Sequence, residues 1–100
     1  MRVLEVCTFT LQPGITPSAF LDTVPSTTEF LKRCPGFQRR HLAQAEDGGW
    51  IDMSEWADMD AAKNMVEVFH KDPSTQAFCA AIDMTSSRMV YYTLAHSVDG

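Results

Sequence analysis

Cysteine is sparse in this chain and shows no pairing pattern. Cys7, Cys34 and Cys79 are odd in number, widely spaced, and form no Cys-x-x-Cys step. That argues against a disulfide framework or a zinc knuckle and predicts reduced thiols in a cytoplasmic protein. Basic charge is also short, with 8 Lys and Arg against 13 Asp and Glu and a net charge of −5. Such a chain lacks the basic face that nucleic-acid phosphates or an anionic membrane surface require, so neither is expected as a partner. No apolar run approaches the roughly 20 residues of a membrane-spanning helix. The start, Met1-Arg2-Val3-Leu4-Glu5-Val6, is broken by Glu5 and then Thr8, and reads as a strand rather than a secretory leader. Repeats, linkers and low-complexity segments are missing, so residues 1–100 are expected to form one domain.

What the chain does have is alternation, cut by clear turn signals. Residues 2–11 place Val3, Cys7, Phe9 and Leu11 on one face and Leu4, Val6, Thr8 and Thr10 on the other, with Glu5 the single charge on the first face. Gln12-Pro13-Gly14 is a turn, after which Thr16 caps a helix with Pro17 at its first position. Phe20, Val24, Thr27, Leu31 and Cys34 keep helical spacing across Pro25. Two readings follow: one kinked helix over 17–33, or two short helices in nearly the same direction. Ser26-Thr27-Thr28-Glu29 fits a capping box, and Pro35-Gly36 ends the segment. Phe37–Ala45 and Trp50–Trp56 flank Glu46-Asp47-Gly48-Gly49 as the arms of a hairpin. Strict alternation puts Phe37, His41, Ala43 and Ala45 on one face of the first arm. Asp58 caps a helix with the stripe Met59, Ala62, Met65, Val66 and Phe69. Asp72-Pro73 restarts a short helix to about Ala80, and Ser87–His96 alternates as a last strand.

The order β-α-β-β-α-β predicts an α+β, ferredoxin-like subunit: a four-stranded antiparallel sheet with both helices on one face. Right-handed crossovers are expected to place the two terminal strands at its centre. The opposite face carries Leu, Val and Tyr side chains that nothing in the chain covers, which predicts a homodimer.

Several segments resemble the dimeric α+β barrel proteins, and within them the antibiotic-biosynthesis-monooxygenase-like group. They are Leu11-Gln12-Pro13-Gly14, Cys34-Pro35-Gly36-Phe37, Ser54-Glu55-Trp56 running into Asp58–Ala62, and His70-Lys71-Asp72-Pro73 with Phe78. The resemblance covers residues 2–97. It implies a homodimer whose sheets close into a barrel, with a ligand pocket between sheet and helices in each subunit. Some relatives oxygenate polyketide-type phenols without metal or flavin, others degrade haem, and many have no known role. The haem-degrading branch carries an asparagine in strand one, a tryptophan in the second helix and a histidine ligand beyond it. The matching positions here hold Cys7, Met65 and the stretch Thr75–Phe78, so haem degradation is not expected.

The function implied is monooxygenase-like: oxidation of an aromatic or quinol-type small molecule, with no cofactor and no metal. A non-catalytic ligand-binding dimer and a purely structural dimer are the alternatives. A cofactorless oxygenase needs an apolar pocket, a general base, and a hydrogen bond for the substrate anion. His70 and His41 are the candidate catalytic bases, because imidazole titrates near neutrality. His70 also reads as a charge at a helix C-terminus, and His41 as a hydrogen-bonded sheet residue. The expected substrate-binding residues are Cys7, Phe9, Trp56, Met65, Phe69, Phe78 and Tyr91. Trp56 reads as a packing anchor as well, and Cys7 as a small hydrophobe. Tyr91 and Tyr92 point to opposite faces, and the sequence does not say which meets the pocket. Glu5 has three readings: a salt bridge to Arg39 or Arg40, an edge position, or a buried acid whose raised pKa suits a base.

Overall fold

Pro25 decides how the first helical region is cut. In the computed structural model, which describes residues 1–100, strand β1 (Val3–Leu11) is followed by two helices, α1 (Pro17–Leu21) and α2 (Val24–Arg33). Pro25 lies in the first turn of α2, where its missing N–H removes no helical bond. The Phe20 carbonyl accepts both the backbone N–H and the hydroxyl of Thr23, closing α1 just before α2 begins. Of the two readings, two short helices is the one realised. The capping box is not, because α2 has already started at Val24. The Ser26 hydroxyl instead donates to the carbonyls of Thr23 and Ser74.

Strands β2 (Phe37–Gln44) and β3 (Trp50–Trp56) form the expected hairpin, with Gly48 supplying the one positive φ of the turn, +93°. Helix α3 (Met59–Phe69) opens on Asp58, whose carboxylate accepts the Ala61 N–H at 2.8 Å. Gly36, at φ +87°, lets the start of β2 pass α3 closely, since a Cβ there would lie 2.7 Å from that of Ala61. A 3₁₀ turn (Pro73–Thr75), α4 (Gln76–Ala81) and β4 (Ile82–Thr93) complete the chain. β4 begins at Ile82, not Ser87. Its early residues Asp83, Thr85 and Ser86 bond to one another, and Ser86 accepts the Thr10 N–H where the β1–β4 register shifts. Alternation is lost there, which is why the sequence pattern starts late.

The four strands are antiparallel in the order β2-β3-β1-β4. This corrects the expected arrangement: β1 and β3 are central, and terminal β4 is an edge. The crossover from β1 leaves one empty place beside it, the hairpin returns β3 into that place, and β4 takes the remaining side of β1.

A second correction concerns β2. Between Phe37 and Arg39 the β2–β3 register shifts by one residue. A bulge of this kind inverts the parity of every later residue. Phe37 and Arg40 therefore share the helix-side face, while Arg39, His41 and Ala43 face away with Met53 and Ile51.

The core between sheet and helices divides in two. One cluster joins Val3, Phe30, Leu31, Trp56, Ala62 and Met65; the other joins Phe9, Phe20, Trp50, Phe78, Ala81 and Ile82. Phe20 is fully buried and meets Trp50 and Phe9 edge-on at centroid distances of 4.9 and 5.7 Å, the favoured aromatic geometry. No helix is long and apolar enough to cross a membrane.

Candidate functional site

The gap between the two clusters is the candidate site. On the helix-side face of β1, Val3 belongs to one cluster and Phe9 to the other, leaving Glu5 and Cys7 between them. β3 repeats the scheme in the opposite direction, with Asp52 and Ser54 held between Trp50 and Trp56. Antiparallel pairing sets Glu5 against Ser54 and Cys7 against Asp52. Two central strands thus place their polar middles side by side beneath the helices. A cavity lies over them, with about 70 Å³ open to the centre of a water-sized sphere. Eleven of its 16 lining residues are hydrophobic, so the few polar groups stand out in an apolar wall.

Glu5 dominates that wall. It is 9% exposed and makes no ion pair, since the pairs in this chain are Arg2–Glu55, Lys32–Glu29 and Arg40–Asp52. No polar side-chain atom is fully enclosed without a hydrogen-bond partner, so the remaining exposure of the Glu5 carboxyl is toward the cavity. Burial raises its pKa from 4.5 to about 7; Asp52 pushes it the same way and Arg40 opposes.

The expected salt bridge from Glu5 to Arg39 or Arg40 does not form. Arg39 lies on the other face, and Arg40 is committed elsewhere. Its Nε and one terminal nitrogen grip both oxygens of Asp52 at 3.0 and 2.8 Å, and its other nitrogen donates to the hydroxyls of Thr27 and Thr28 at 2.7 and 3.2 Å.

The other candidates separate cleanly. Cys7, Phe9, Met65, Phe69, Phe78 and His70 all line the cavity. His70 ends α3 at the exposed mouth, its Nδ1 4.0 Å from Cys79 Sγ. Cys7 Sγ lies 3.4 Å from Ser87 Oγ, and burial pushes its thiol pKa up. His41 does not reach the cavity, because the β2 bulge turns it to the opposite, open face. Trp56 is fully buried in the first core cluster, its Nε1–H donated to Ser54 Oγ at 2.8 Å, and it does not line the cavity. Tyr91 is on the helix side, paired with Glu5 and capped by Lys63 over its ring, but it stands outside the cavity wall. Asp52, Ser54, Ser87, Met84 and Met89 line the cavity and are absent from the expected set. A usable signal existed: both central strands read apolar, acid, small, apolar on one face. No group of three or more His, Cys, Asp or Glu side chains is arranged to hold a metal ion.

Among solved structures the chain is similar to SnoaB, a cofactor-independent oxygenase from Streptomyces nogalater. The identity is 24% over 99% of this chain and 98% of that one, with a TM-score of 0.78. A protein from Caulobacter crescentus, provisionally assigned as an antibiotic biosynthesis monooxygenase, matches at 16% identity over 95% and 91% of the two chains, with a TM-score of 0.71. A dimeric protein of unknown function and ferredoxin-like fold from Bacteroides fragilis matches at 14% over 93% and 96%, with a TM-score of 0.59. No family model matches the chain, and no curated protein matches it significantly. These likenesses establish the fold alone: a ferredoxin-like α+β subunit with a four-stranded antiparallel sheet.

Proposed function

We propose that this protein oxidises a phenol or hydroquinone with molecular oxygen, using Glu5 as the general base and no cofactor. The observation that carries the reading is Glu5 itself, an unpaired acid at the floor of an apolar cavity with a pKa of about 7. A carboxyl poised near neutrality accepts and returns a proton at physiological pH. Ionised Glu5 removes the phenol proton, and the electron-rich ring carbon para to that oxygen bonds to O₂ as a peroxide. The Glu5 carboxyl returns the proton to the peroxide. Loss of the ring C–H proton with O–O cleavage then releases water and leaves a second carbonyl. A phenol with a free para position and O₂ become quinone and water. A hydroquinone, whose para carbon bears a hydroxyl instead of hydrogen, releases hydrogen peroxide and becomes quinone. The apolar wall excludes bulk water from the anion and the peroxide. The likeness to a cofactor-independent oxygenase supports this reading at the level of fold.

Oxygen consumption with a panel of phenols and hydroquinones tests it. For at least one member, uptake is expected to exceed the buffer rate by orders of magnitude, with quinone formed in proportion. No acceleration across the panel would sink the catalytic reading and leave a ligand-binding cavity. His41→Ala is expected to leave the rate unchanged, because that side chain faces away from the cavity.

The open face of the sheet supports a homodimer. Leu4, Val6, Met53 and Val90 are only partly covered there, and Ile51 and Tyr92 are 37% and 51% exposed. A second copy packed sheet to sheet covers this apolar patch with the same patch of its partner. Sedimentation velocity at micromolar concentration is expected to show a dimer; a monomer alone would contradict it.

A further inference from the structure

We infer that the inner end of the cavity is a charge filter, in which Glu5 and Asp52 admit a neutral hydroxyl donor and reject an anionic group. This rests on the cavity being the binding site, and it adds a rule about which aromatic molecules enter.

The polar atoms at that end are chiefly acceptors. Glu5 presents a carboxyl group that no chain donor satisfies, and Asp52 is a second carboxylate beside it. The nearest cation is unavailable. Arg40 divides its donors between Asp52, Thr27 and Thr28, and does not itself line the cavity. Ser54 accepts from Trp56 and retains a single hydroxyl hydrogen. A hydroxyl brought inward therefore finds an acceptor in want of a donor, a strong charge-assisted arrangement when Glu5 is ionised. A carboxylate, sulfate or phosphate brought inward finds two carboxyl groups and no free cation, which costs both repulsion and lost hydration.

The groups around Glu5 keep that sign. Asp52 and Arg40 lie on the β3 and β2 side as an ion pair in which Asp52 acts on Glu5 more strongly than Arg40 does. Cys7 is on its own strand, and Tyr91 comes from β4 with Lys63 over its ring. The helices contribute His70 and Cys79 at the mouth. An anionic substituent is thus tolerable only at the outer end, near His70. The mouth and the floor select for different chemistry.

Calorimetric titration under argon with 1-naphthol and 1-naphthoate tests the filter without any turnover. Between about pH 5.5 and 8 the first stays neutral and the second anionic, while Glu5 passes from its neutral to its ionised form. Near pH 8, naphthol is expected to bind at least about tenfold more tightly than naphthoate. Glu5→Gln exchanges an anionic acceptor for a neutral amide with its own N–H donors, and is expected to shrink that ratio at least about fivefold, chiefly through tighter naphthoate binding. Because a pH series acts on every ionisable group at once, the variant isolates Glu5. Equal affinities in the unmodified protein, or a ratio unmoved by Glu5→Gln, would overturn the filter. Binding of neither probe at millimolar concentration overturns it together with the cavity's role as a binding site. Discrimination without oxygen uptake leaves the filter standing and removes only the oxygenase reading.

Discussion

Glu5→Gln is expected to lower turnover of a phenolic substrate by about 100- to 10,000-fold, the usual contribution of a positioned general base. The same substitution should make the protein more stable above neutrality. The folded state holds the Glu5 proton up to about pH 7, whereas the ordinary value is 4.5. Between those limits the folded state binds more protons than the unfolded one, so stability falls as pH rises through the window. At about 1.4 kcal/mol per pH unit, the penalty on the native protein above pH 7 approaches roughly 3 kcal/mol. Glutamine cannot ionise and escapes it. Denaturant titrations of the two proteins should therefore nearly coincide at pH 4 and diverge by pH 8, the variant being the more stable. Their difference removes the contributions of all other groups. Turnover of the native protein should rise with pH as Glu5 ionises, and the residual rate of the variant should lose that limb. A variant rate within about threefold of native would remove Glu5 from the chemistry. Parallel stability curves at both pH values would mean that its carboxyl is solvated. A stabilised but inactive variant is the expected signature of a group kept for function at a cost to folding.

The second large effect belongs to Arg40. Its side chain is 6% exposed and its partner Asp52 16%, so the pair is nearly withdrawn from water. Arg40→Met leaves the Asp52 carboxylate buried without a counter-ion, beside Glu5, and strips the Thr27 and Thr28 hydroxyls of their donor. Breaking a buried pair from one side costs about 3–5 kcal/mol, because the remaining charge is uncompensated. For a domain of this size, that lowers the melting temperature by at least about 10 °C. Replacing both partners, Arg40→Met with Asp52→Leu, should recover most of the loss, since two apolar side chains leave no orphaned charge. Thermal unfolding of the two single variants and the double variant gives the coupling directly. A loss below about 1 kcal/mol for Arg40→Met would show that the pair behaves like an exposed one. The single variant should also shift the rising limb of activity to higher pH, because Arg40 is what opposes the Glu5 shift.

Much of the fold was legible because its signals are local. Asp58 caps α3, Asp47-Gly48 turns the β2–β3 hairpin, and Pro17 starts α1; each acts within a few residues of itself. The stripe from Met59 to Phe69 needed only the helical period. Pro25 was ambiguous because spacing across it is helical whether the chain kinks or restarts. Only the bonds from Thr23 to the Phe20 carbonyl separate the two.

The candidate site was half legible. Apolar lining residues such as Phe9, Met65, Phe69 and Phe78 were found because any side chain on the inner faces of sheet and helix borders the same space. The candidate base was harder. His41 was expected to share a face with Phe37, and one unpaired residue between Phe37 and Arg39 moved it to the other side of the sheet. Trp56 packs in the core instead of lining the cavity, since its N–H is satisfied by Ser54 within the same strand. Glu5 was visible as an anomaly among apolar neighbours, but whether an arginine neutralises it depends on Asp52 reaching Arg40 first.

By itself the sequence determined the elements, their order and the faces of the unbulged strands, because periodicity, caps and turn residues act over one or two turns of chain. Tertiary structure decided the strand order, the parity of β2 past its bulge, and the division of the core into two clusters with a polar gap between them. It also decided which acid lost its cation. Strand order and the divided core depend on registers between residues about 40 to 90 positions apart. The β2 parity depends on a hairpin register that slips by one residue. Each is settled by the packing of the whole sheet against its helices.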